Sequence, residues 1–466
     1  MTRRGFLAGC AAAPFAPAGE PEPDPHRGLY AVWAKPGVAE ALPFLKGGQV
    51  VAQWQAVEPE EGRYDFSTLS EQLGRLAKLG RSATVQVNGN RHPAYLFERV
   101  PSHPEKFSRQ TQDERTLQYW HPAYIRAYVN LIAAYARELK NSPHRARIAG
   151  VRLNFNALGT EHTEVPPQAR DPKSWSAPGP EWTRELAGEY RRTVVDAFTR
   201  YFAPDIRVFA RAGALQDPGG LALFHTSSEI EPRSAGVERQ YRNFLDYCRT
   251  GRTAGYAESW ADAWGRHGGV RDPRWCGPAQ YNYWRLLSDL NMGVSMIAIY
   301  GADLEQAAEP EFRDAFAFAA RYAGYHASPS RAPGAWVALR EGSFLKGDYT
   351  YLMSRRGDMA PAQKAGPSDQ RYGAWARVLA AGGRAEFVLE AAFARAMESR
   401  PAVLRAVYLD QGRGRFRVRA AGKEFGRRLA GTGRWVAAEM PLEWRGREIQ
   451  VASDAELVLH MIEVAR

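Results

Sequence analysis

The stretch that decides the fold is IAGVRLN at residues 148–154, a short and largely apolar run between two amphipathic segments. Upstream, Tyr124–Leu139 repeats aromatic and leucine side chains every three or four residues, and a second helical pattern covers Glu181–Tyr201 downstream. A brief apolar strand between amphipathic helices is typical of a parallel sheet that is buried on both faces. This stretch therefore predicts an α/β fold.

The same alternation of strand and helix recurs over about 300 residues. The predicted strands are Leu29–Ala34, Val50–Gln55, Ala83–Asn88, Ile148–Asn154, Ile206–Arg211, Leu221–His225, Ala254–Glu258 and Val294–Tyr300. Eight units predict a (β/α)8 TIM barrel over residues 28–328, with functional groups on the loops that follow the strands. The alternative is a doubly wound sheet, which would need a glycine-rich turn after the first strand, and Trp33–Gly37 is not one.

Beyond Pro333 the sequence changes to short strands separated by turns, with no long helical pattern. We expect an antiparallel β-sandwich over residues 329–466. Within it, Arg413, Arg415, Arg417 and Arg419 alternate with other residues, which places them on one face of a strand. A solvated outer face is the first interpretation, and binding of an acidic polymer is the alternative.

The N-terminus is typical of an export signal. Two arginines at positions 3 and 4 precede a short apolar stretch, and small residues lie near Ala16–Ala18. Thr2–Leu7 also resembles the twin-arginine export motif of bacteria. We assign residues 1–19 to the signal and residues 20–27 to a linker, with lipidation at Cys10 as an alternative, and expect a periplasmic or extracellular protein.

The composition of the 466 residues, with 45% hydrophobic, 12% aromatic and 24% charged residues, fits a globular protein with a large core. No apolar run is long enough to span a bilayer. The formal net charge is +11, or +9 without the signal, but the cations are scattered and predict no nucleic-acid partner. No phosphate-binding loop, nucleophile elbow or zinc-binding motif occurs, so we expect no cofactor and no metal.

One motif resembles a known group of enzymes. The segment WQAVEPEEGRYDFS at residues 54–67 is similar to the strand-to-helix connection of barrel glycoside hydrolases with two catalytic glutamates, such as families 42 and 10. The resemblance covers the barrel alone, and the motif itself is scaffold, with Glu58 in a structural role. It implies a retaining, double-displacement mechanism with a catalytic glutamate after the fourth and after the seventh strand.

By that resemblance Glu161 is the general acid/base and Glu258 the nucleophile. The acid must hold a proton at working pH, so we expect a raised pKa for Glu161. Many of these enzymes have Asn-Glu after the fourth strand, whereas this chain has Thr160, and Asn154 or Asn156 is expected to substitute.

Other acids compete for the catalytic positions. Glu229 and Glu231 follow the sixth strand, and Glu164 is a further candidate for the acid. Pairing of Glu161 with Glu229 would give an inverting hydrolase.

Aromatic and polar side chains near the predicted strand ends are candidates for sugar binding. Rings stack on the apolar faces of sugars, although core packing is the alternative for each, and polar groups bind hydroxyls. The predicted binding residues are Trp33, Gln53, Trp54, Asn88, Asn154, Asn156, His162, Arg211, His225, Glu229, Trp260, Trp264 and Tyr300. Arg152, Arg207 and Arg211 would suit an anionic sugar, or are paired arginines.

The sequence thus predicts a glycoside hydrolase that acts on a poly- or oligosaccharide, with a weak preference for an anionic one because of the net charge. The alternative from another class is a non-catalytic carbohydrate-binding protein on a degenerate barrel. Close approach of Glu161 and Glu258 at the barrel mouth would favour the enzyme.

Overall fold

The computed structural model describes residues 20–35, 37–213, 219–226, 230, 235–259, 261–265, 277–340 and 347–466. The predicted export signal lies outside these residues.

Eight parallel strands close into a barrel, which confirms the predicted fold class. Numbered along the chain, the strands of this half are β1 (Gly28–Val32), β2 (Leu45–Gln53), β3 (Ser82–Asn88), β4 (Ser102–His103), β5 (Thr116–Leu117), β6 (Ile148–Arg152), β7 (Val208–Arg211), β8 (Ala222–His225), β9 (Gly255–Glu258) and β10 (Met296–Tyr300). The two-residue strands β4 and β5 form a separate antiparallel pair. The barrel order is β1-β10-β9-β8-β7-β6-β3-β2, so β6 is its fourth strand and β9 its seventh.

Helices surround the barrel, and they include the two expected at Tyr124–Leu139 and Glu181–Tyr201. They are α1 (Val38–Ala41), α2 (Trp54–Val57), α3 (Ser67–Lys78), α4 (Ala94–Arg99), α5 (Pro122–Asn141), α6 (Arg184–Phe202), α7 (Ala235–Asn243), α8 (Pro278–Asn291), α9 (Gly301–Leu304) and α10 (Pro310–Tyr322). A π-helical turn, Phe244–Cys248, continues α7, and 3-10 turns occupy Arg145–Arg147, Pro167–Arg170, Pro172–Ser174, Glu305–Ala308 and Pro329–Arg331. Leu69, Leu73 and Leu76 of α3 are buried, as their spacing requires.

The barrel interior changes from apolar to polar along its axis. Aromatic rings fill part of it, among them Phe209, Phe224 and Tyr256. Beyond them towards the strand ends lie polar side chains, including Gln86 and Asn88 on β3, both buried. Because side chains alternate between the two faces of a strand, these inward positions recur every second residue. The polar layer is therefore presented at the end where barrel enzymes have their active sites.

The C-terminal region consists of two antiparallel sheets, which confirms the predicted β-sandwich. Its strands are β11 (Gly334–Ala338), β12 (Tyr349–Tyr351), β13 (Met353–Arg356), β14 (Arg377–Leu379), β15 (Arg384–Leu389), β16 (Pro401–Asp410), β17 (Gly414–Ala420), β18 (Lys423–Leu429), β19 (Arg434–Glu443), β20 (Glu448–Ser453) and β21 (Leu457–Ala465), with helix α11 (Ala391–Met397). One sheet has the order β12-β11-β21-β16-β19 with β14 beside β21, and the other β13-β15-β20-β17-β18.

Helix α8 joins the two halves. Every residue from Gln280 to Asn291 is buried, as expected for a helix covered on all sides. Trp284 Nε1 donates to the carbonyl of Gly373 at 2.8 Å, and the Tyr283 hydroxyl lies 3.0 Å from His460 Nε2 on β21. Both contacts cross from the barrel to the sandwich, so the two halves share one core.

Candidate active site

Glu258 ends the seventh barrel strand, and its side chain is directed into the barrel. Its Oε1 accepts a hydrogen bond from Arg152 Nη1 at 2.7 Å. Its Oε2 accepts from Gln49 Nε2 at 2.9 Å and from the Tyr256 hydroxyl at 3.1 Å. Only 1% of Glu258 is exposed, so donors from three strands hold a buried carboxylate in place.

Glu161 reaches the same place from the loop after the fourth strand. A tight hairpin, in which Leu158 pairs with His162 and Gly159 has φ +74°, brings its carboxylate back over the strand end. Glu161 Oε1 accepts from Arg152 Nη2, and Oε2 accepts from Arg211 Nη1 at the end of β7. The structure therefore brings the two predicted catalytic glutamates together, with one guanidinium group between them.

Glu161, Glu258, Arg152 and Arg211 form a charge-balanced group, which we call the mouth quartet. Arg152 is buried, with its guanidinium 4.3 Å from the centre of the Phe224 ring. Burial raises the pKa of Glu258, against the opposing effects of Arg152, Tyr256 and Gln49. Burial lowers the pKa of the Arg152 guanidinium. Each shift reflects the free-energy cost of a buried charge, which the opposite charges in the quartet offset.

These contacts do not match the expected protonation of the two glutamates, in which Glu161 is protonated and Glu258 is ionised. The sequence predicts a raised pKa for the general acid, Glu161. Instead it contacts two guanidinium groups, which stabilise its ionised form. The carboxyl group whose pKa is raised by burial is Glu258.

Several buried polar atoms next to the quartet have no hydrogen-bond partner among the described residues. These atoms are Gln49 Oε1, Gln53 Oε1, Gln86 Nε2, Asn154 Oδ1 and Arg152 Nε. A buried polar group without a partner costs free energy, and native proteins seldom leave one unsatisfied. Several such groups at the end of one barrel are suited to bind the hydroxyl groups of a ligand.

Asn88 and Asn154 lie one layer closer to the strand ends than Arg152 and Gln86. Asn154 Nδ2 donates to Asn88 Oδ1 at 2.9 Å, and both residues are buried. Next to Glu161, His162 has a lowered pKa, because of burial and of the positive charge of Arg211. These three predicted binding residues therefore lie at or beside the quartet.

Three predicted binding residues have structural positions instead. Trp54 is fully buried, packs edge-on against Tyr124 and at a tilt against Tyr128, and its Nε1 donates to Glu58 Oε2 at 2.8 Å. The placement of Trp54 at the mouth is therefore wrong, because its ring faces the helices. Glu58, as expected, has a structural role, accepting also from the Gly62 amide at 2.9 Å.

Asn156 and His225, which were predicted to bind sugar, also have structural positions. Asn156 has φ +51°, and its amide bonds the backbone of Val87 and Gly89, so it fastens two loops together. His225 packs against Tyr241 and Phe244, outside the barrel. Its neighbour Phe224 points inward, and alternation along the strand directs His225 outward.

The remaining predicted aromatic residues lie at the rim. Trp33 is 47% exposed and lines a cavity of about 270 Å³ that also includes Gln72 and Arg75 of α3. Trp264 is half-buried beside Tyr281, and Tyr300 is half-buried at the end of β10. Glu229, Glu231 and Trp260 lie outside the described residues.

Sequence reasoning missed Gln49, Tyr256 and Gln86. All three share an inward face with a residue that was found: Gln49 with Gln53, Tyr256 with Glu258, and Gln86 with Asn88. Polar side chains two residues apart on an otherwise apolar strand were the available signal.

In the described part of the chain, no group of three His, Cys, Asp or Glu side chains is arranged to hold a metal ion. No described helix is long and apolar enough to cross a membrane.

One segment of the barrel matches a known protein family. Residues 49–154, less than a quarter of the chain, match the model of glycoside hydrolase family 42, described as β-galactosidase. No curated protein sequence matches the chain.

Two solved structures of barrel enzymes are similar in part. A cold-adapted β-galactosidase from Rahnella sp. R3 is 12% identical with a TM-score of 0.39, over 63% of this chain and 55% of that one. Xylanase B from Clostridium stercorarium F9 is 14% identical with a TM-score of 0.33, over 59% of this chain and 86% of that one. The chain thus spans about half the length of the β-galactosidase.

Proposed function

We propose that this protein is a glycoside hydrolase whose two catalytic carboxylates are Glu161 and Glu258. The observation that carries the proposal is their convergence on Arg152 from the fourth and the seventh barrel strands. Two carboxyl groups on either side of a glycosidic bond are the requirement of this chemistry. The family 42 match over residues 49–154 supports the enzyme class, and the matched segment ends before both glutamates.

The mechanism we propose is double displacement. Glu258 attacks the anomeric carbon while Glu161 gives a proton to the leaving oxygen, and the glycosyl group becomes bonded to Glu258. Glu161 then takes a proton from water as that water attacks the anomeric carbon, which releases the sugar and restores both carboxyl groups. The two carboxylates contact the two terminal nitrogens of one guanidinium group, that of Arg152. The double-displacement course requires carboxyl groups about 5–5.5 Å apart.

The proposed role of Glu161 as the acid requires that its carboxyl group be protonated. To act as an acid, Glu161 must gain a proton, which two contacting guanidinium groups oppose. Arg211 is the more exposed of the two, with 26% of its side chain accessible, against 6% for Arg152. We therefore propose that the substrate displaces Arg211 from Glu161 on binding.

The roles are tested with alanine variants and azide, on a panel of aryl glycosides. Glu161→Ala should lower turnover about 10²–10⁴-fold. Glu258→Ala should abolish it. Azide should rescue Glu258→Ala by replacing the nucleophile, giving a glycosyl azide of inverted configuration, and Glu161→Ala by attacking the glycosyl-enzyme, giving a retained one.

The matched control is Glu164→Ala, since Glu164 follows the same hairpin, with 60% of its side chain exposed. It should keep full activity. Exchange of the two azide products between the variants would reverse the roles of the glutamates, and turnover that survives in both variants would contradict the proposal.

A second function, carbohydrate binding without hydrolysis, is favoured by one observation. The quartet is internally neutralised and Glu258 is 1% exposed, so the carboxylates are paired with the protein itself. This candidate predicts that glycans bind to the wild-type protein without release of reducing ends. It also predicts that Glu258→Ala binds them equally well.

We also propose that the protein is exported. The paired arginines at positions 3 and 4 and the small residues near Ala16–Ala18 support this. Mass spectrometry of the mature protein should find an N-terminus close to residue 19. A lipid-bearing terminus at Cys10 would show anchoring instead, and a retained Met1 would contradict export.

A further inference from the structure

The outer face of the sheet β13-β15-β20-β17-β18 has an uneven distribution of charge. Across its middle, Arg384, Ala452, Arg417 and Gly426 lie side by side on four adjacent strands. Residues opposite one another in an antiparallel pair point to the same side, so these four share the outer face. The next row holds Arg415 opposite Arg428.

We call the surface of Arg384, Arg415, Arg417 and Arg428 the arginine face. All four residues are exposed. None of the four guanidinium groups has an ion pair with a described carboxylate. The carboxylate of the nearby Asp454 accepts a hydrogen bond from the backbone N–H of Arg415 at 2.5 Å.

On the other side of the row that contains Arg417, the charged side chains have partners, and the arginine face ends there. There Arg419 pairs with Glu424 at 2.7 Å, and Gln450 donates to Glu386 at 3.3 Å. Arg419, one of the four arginines whose spacing suggested a charged strand face, is therefore compensated. The excess positive charge is confined to one half of the sheet.

The surface between the arginines is formed by small residues and carries no aromatic ring. Gly426 and Ala452 stand between or beside the arginines, and a Cβ added at Gly426 would meet nothing. None of the residues in these rows is aromatic. Rings would be needed to stack on nucleic-acid bases, and they are what neutral sugars stack on. The ligand suited to this surface is therefore a chain that binds through its charged groups rather than by stacking.

We propose that the arginine face binds a polysaccharide that bears carboxylate groups, a polyuronate, and so holds the chain on an acidic glycan. The choice of a saccharide rests on the proposed function. Arginine matches a carboxylate with two parallel hydrogen bonds, which fits repeated uronate groups. Arg415 and Arg417 are two residues apart on one strand, about 6.7 Å, so their guanidinium groups can contact neighbouring carboxylates.

The test measures the affinity of the intact protein for polygalacturonate by affinity electrophoresis. The matched ligand is methyl-esterified polygalacturonate, which keeps the backbone and removes the charge. Arg417→Gln/Arg428→Gln should weaken binding roughly tenfold or more, because half of the unpaired guanidinium groups are lost. The matched control is Arg427→Gln/Arg445→Gln, which removes equal formal charge. Arg427 lies opposite buried Phe416 and so faces the other side of β18, and Arg445, after β19, pairs with Glu443 at 2.9 Å.

We expect binding of polygalacturonate, no binding of the ester, and affinity unchanged in the control variant. Binding should persist in Glu258→Ala, so that failure of the catalytic proposal and failure of this one are distinguishable. Equal losses in both double variants, or equal binding of the ester, would overturn the inference. Equally tight binding of dextran sulfate or double-stranded DNA would also overturn it, by showing a surface for any polyanion.

Discussion

The mouth quartet and the arginine face use the same side chain in opposite ways. Arg152 is buried and each of its two terminal nitrogens meets a carboxylate, whereas Arg417 is exposed and has no such partner. In a low dielectric a guanidinium must be compensated, while in water it is hydrated and costs little. The quartet is therefore specified from within the protein, and the arginine face leaves its charge available to a ligand.

The largest effect expected from this comparison follows removal of the buried cation. Arg152→Met would leave Glu161 and Glu258 in the barrel with one cation instead of two. We expect the free energy of unfolding to fall by about 3–5 kcal/mol, the usual cost of breaking a buried pair. Urea unfolding at pH 7 measures it. A loss below about 1 kcal/mol would contradict the view that the quartet is held by mutual compensation.

A buried carboxylate outside the quartet sharpens the comparison. Asp303 on α9 is 7% exposed, and among the described residues its carboxylate accepts from the backbone of Ala263. Burial raises its pKa to about 6 from 3.8. A raised pKa stabilises the fold below the unfolded-state value and loses that contribution as pH rises through the folded-state value.

Stability should therefore fall between pH 3.8 and about pH 6 through Asp303, by an amount on the order of 3 kcal/mol. Asp303→Asn should remove this part of the decline. Urea unfolding of both proteins across that range would measure it. Parallel pH profiles for the two proteins would contradict the burial effect.

The smallest effect is expected at the arginine face. Arg417→Met changes an exposed residue whose guanidinium has no described partner. We expect the free energy of unfolding to change by no more than about 0.5 kcal/mol. The same urea titration measures it beside Arg152→Met. A loss comparable to that of Arg152→Met would show that the exposed arginines are structural.

Much of the fold could be predicted because it depends on short-range patterns. All eight barrel strands overlap their predictions, since each is a buried apolar run with a clear end. In the C-terminal region, strands β14, β18 and β20 were not predicted, because only part of each is buried: in KEFGRRL, the sequence of β18, Leu429 alone is fully buried. An edge strand of this kind is defined by pairing with its neighbour, which the local sequence does not specify.

The site was predictable as far as position along a strand defines it. Glu161, in the loop after the fourth strand, and Glu258, at the end of the seventh, were predicted from these positions, and both carboxylates contact Arg152. The direction of a side chain was harder to assign, and Trp54 and Asn156 lie beyond the regular strands, where alternation no longer applies. The sharing of Arg152 by the two glutamates depends on a hairpin whose course the sequence pattern does not define.

The central claim is that Glu258 forms a covalent bond to a sugar in a site shared with Glu161. The most direct measurement is mass spectrometry of the protein after incubation with a panel of 2-deoxy-2-fluoro glycosides, which slow release of the glycosyl-enzyme. The account predicts one glycosyl adduct on the peptide that contains Glu258, and none in Glu258→Gln. An adduct on Glu161, or glycans that bind without adduct or hydrolysis, would contradict it.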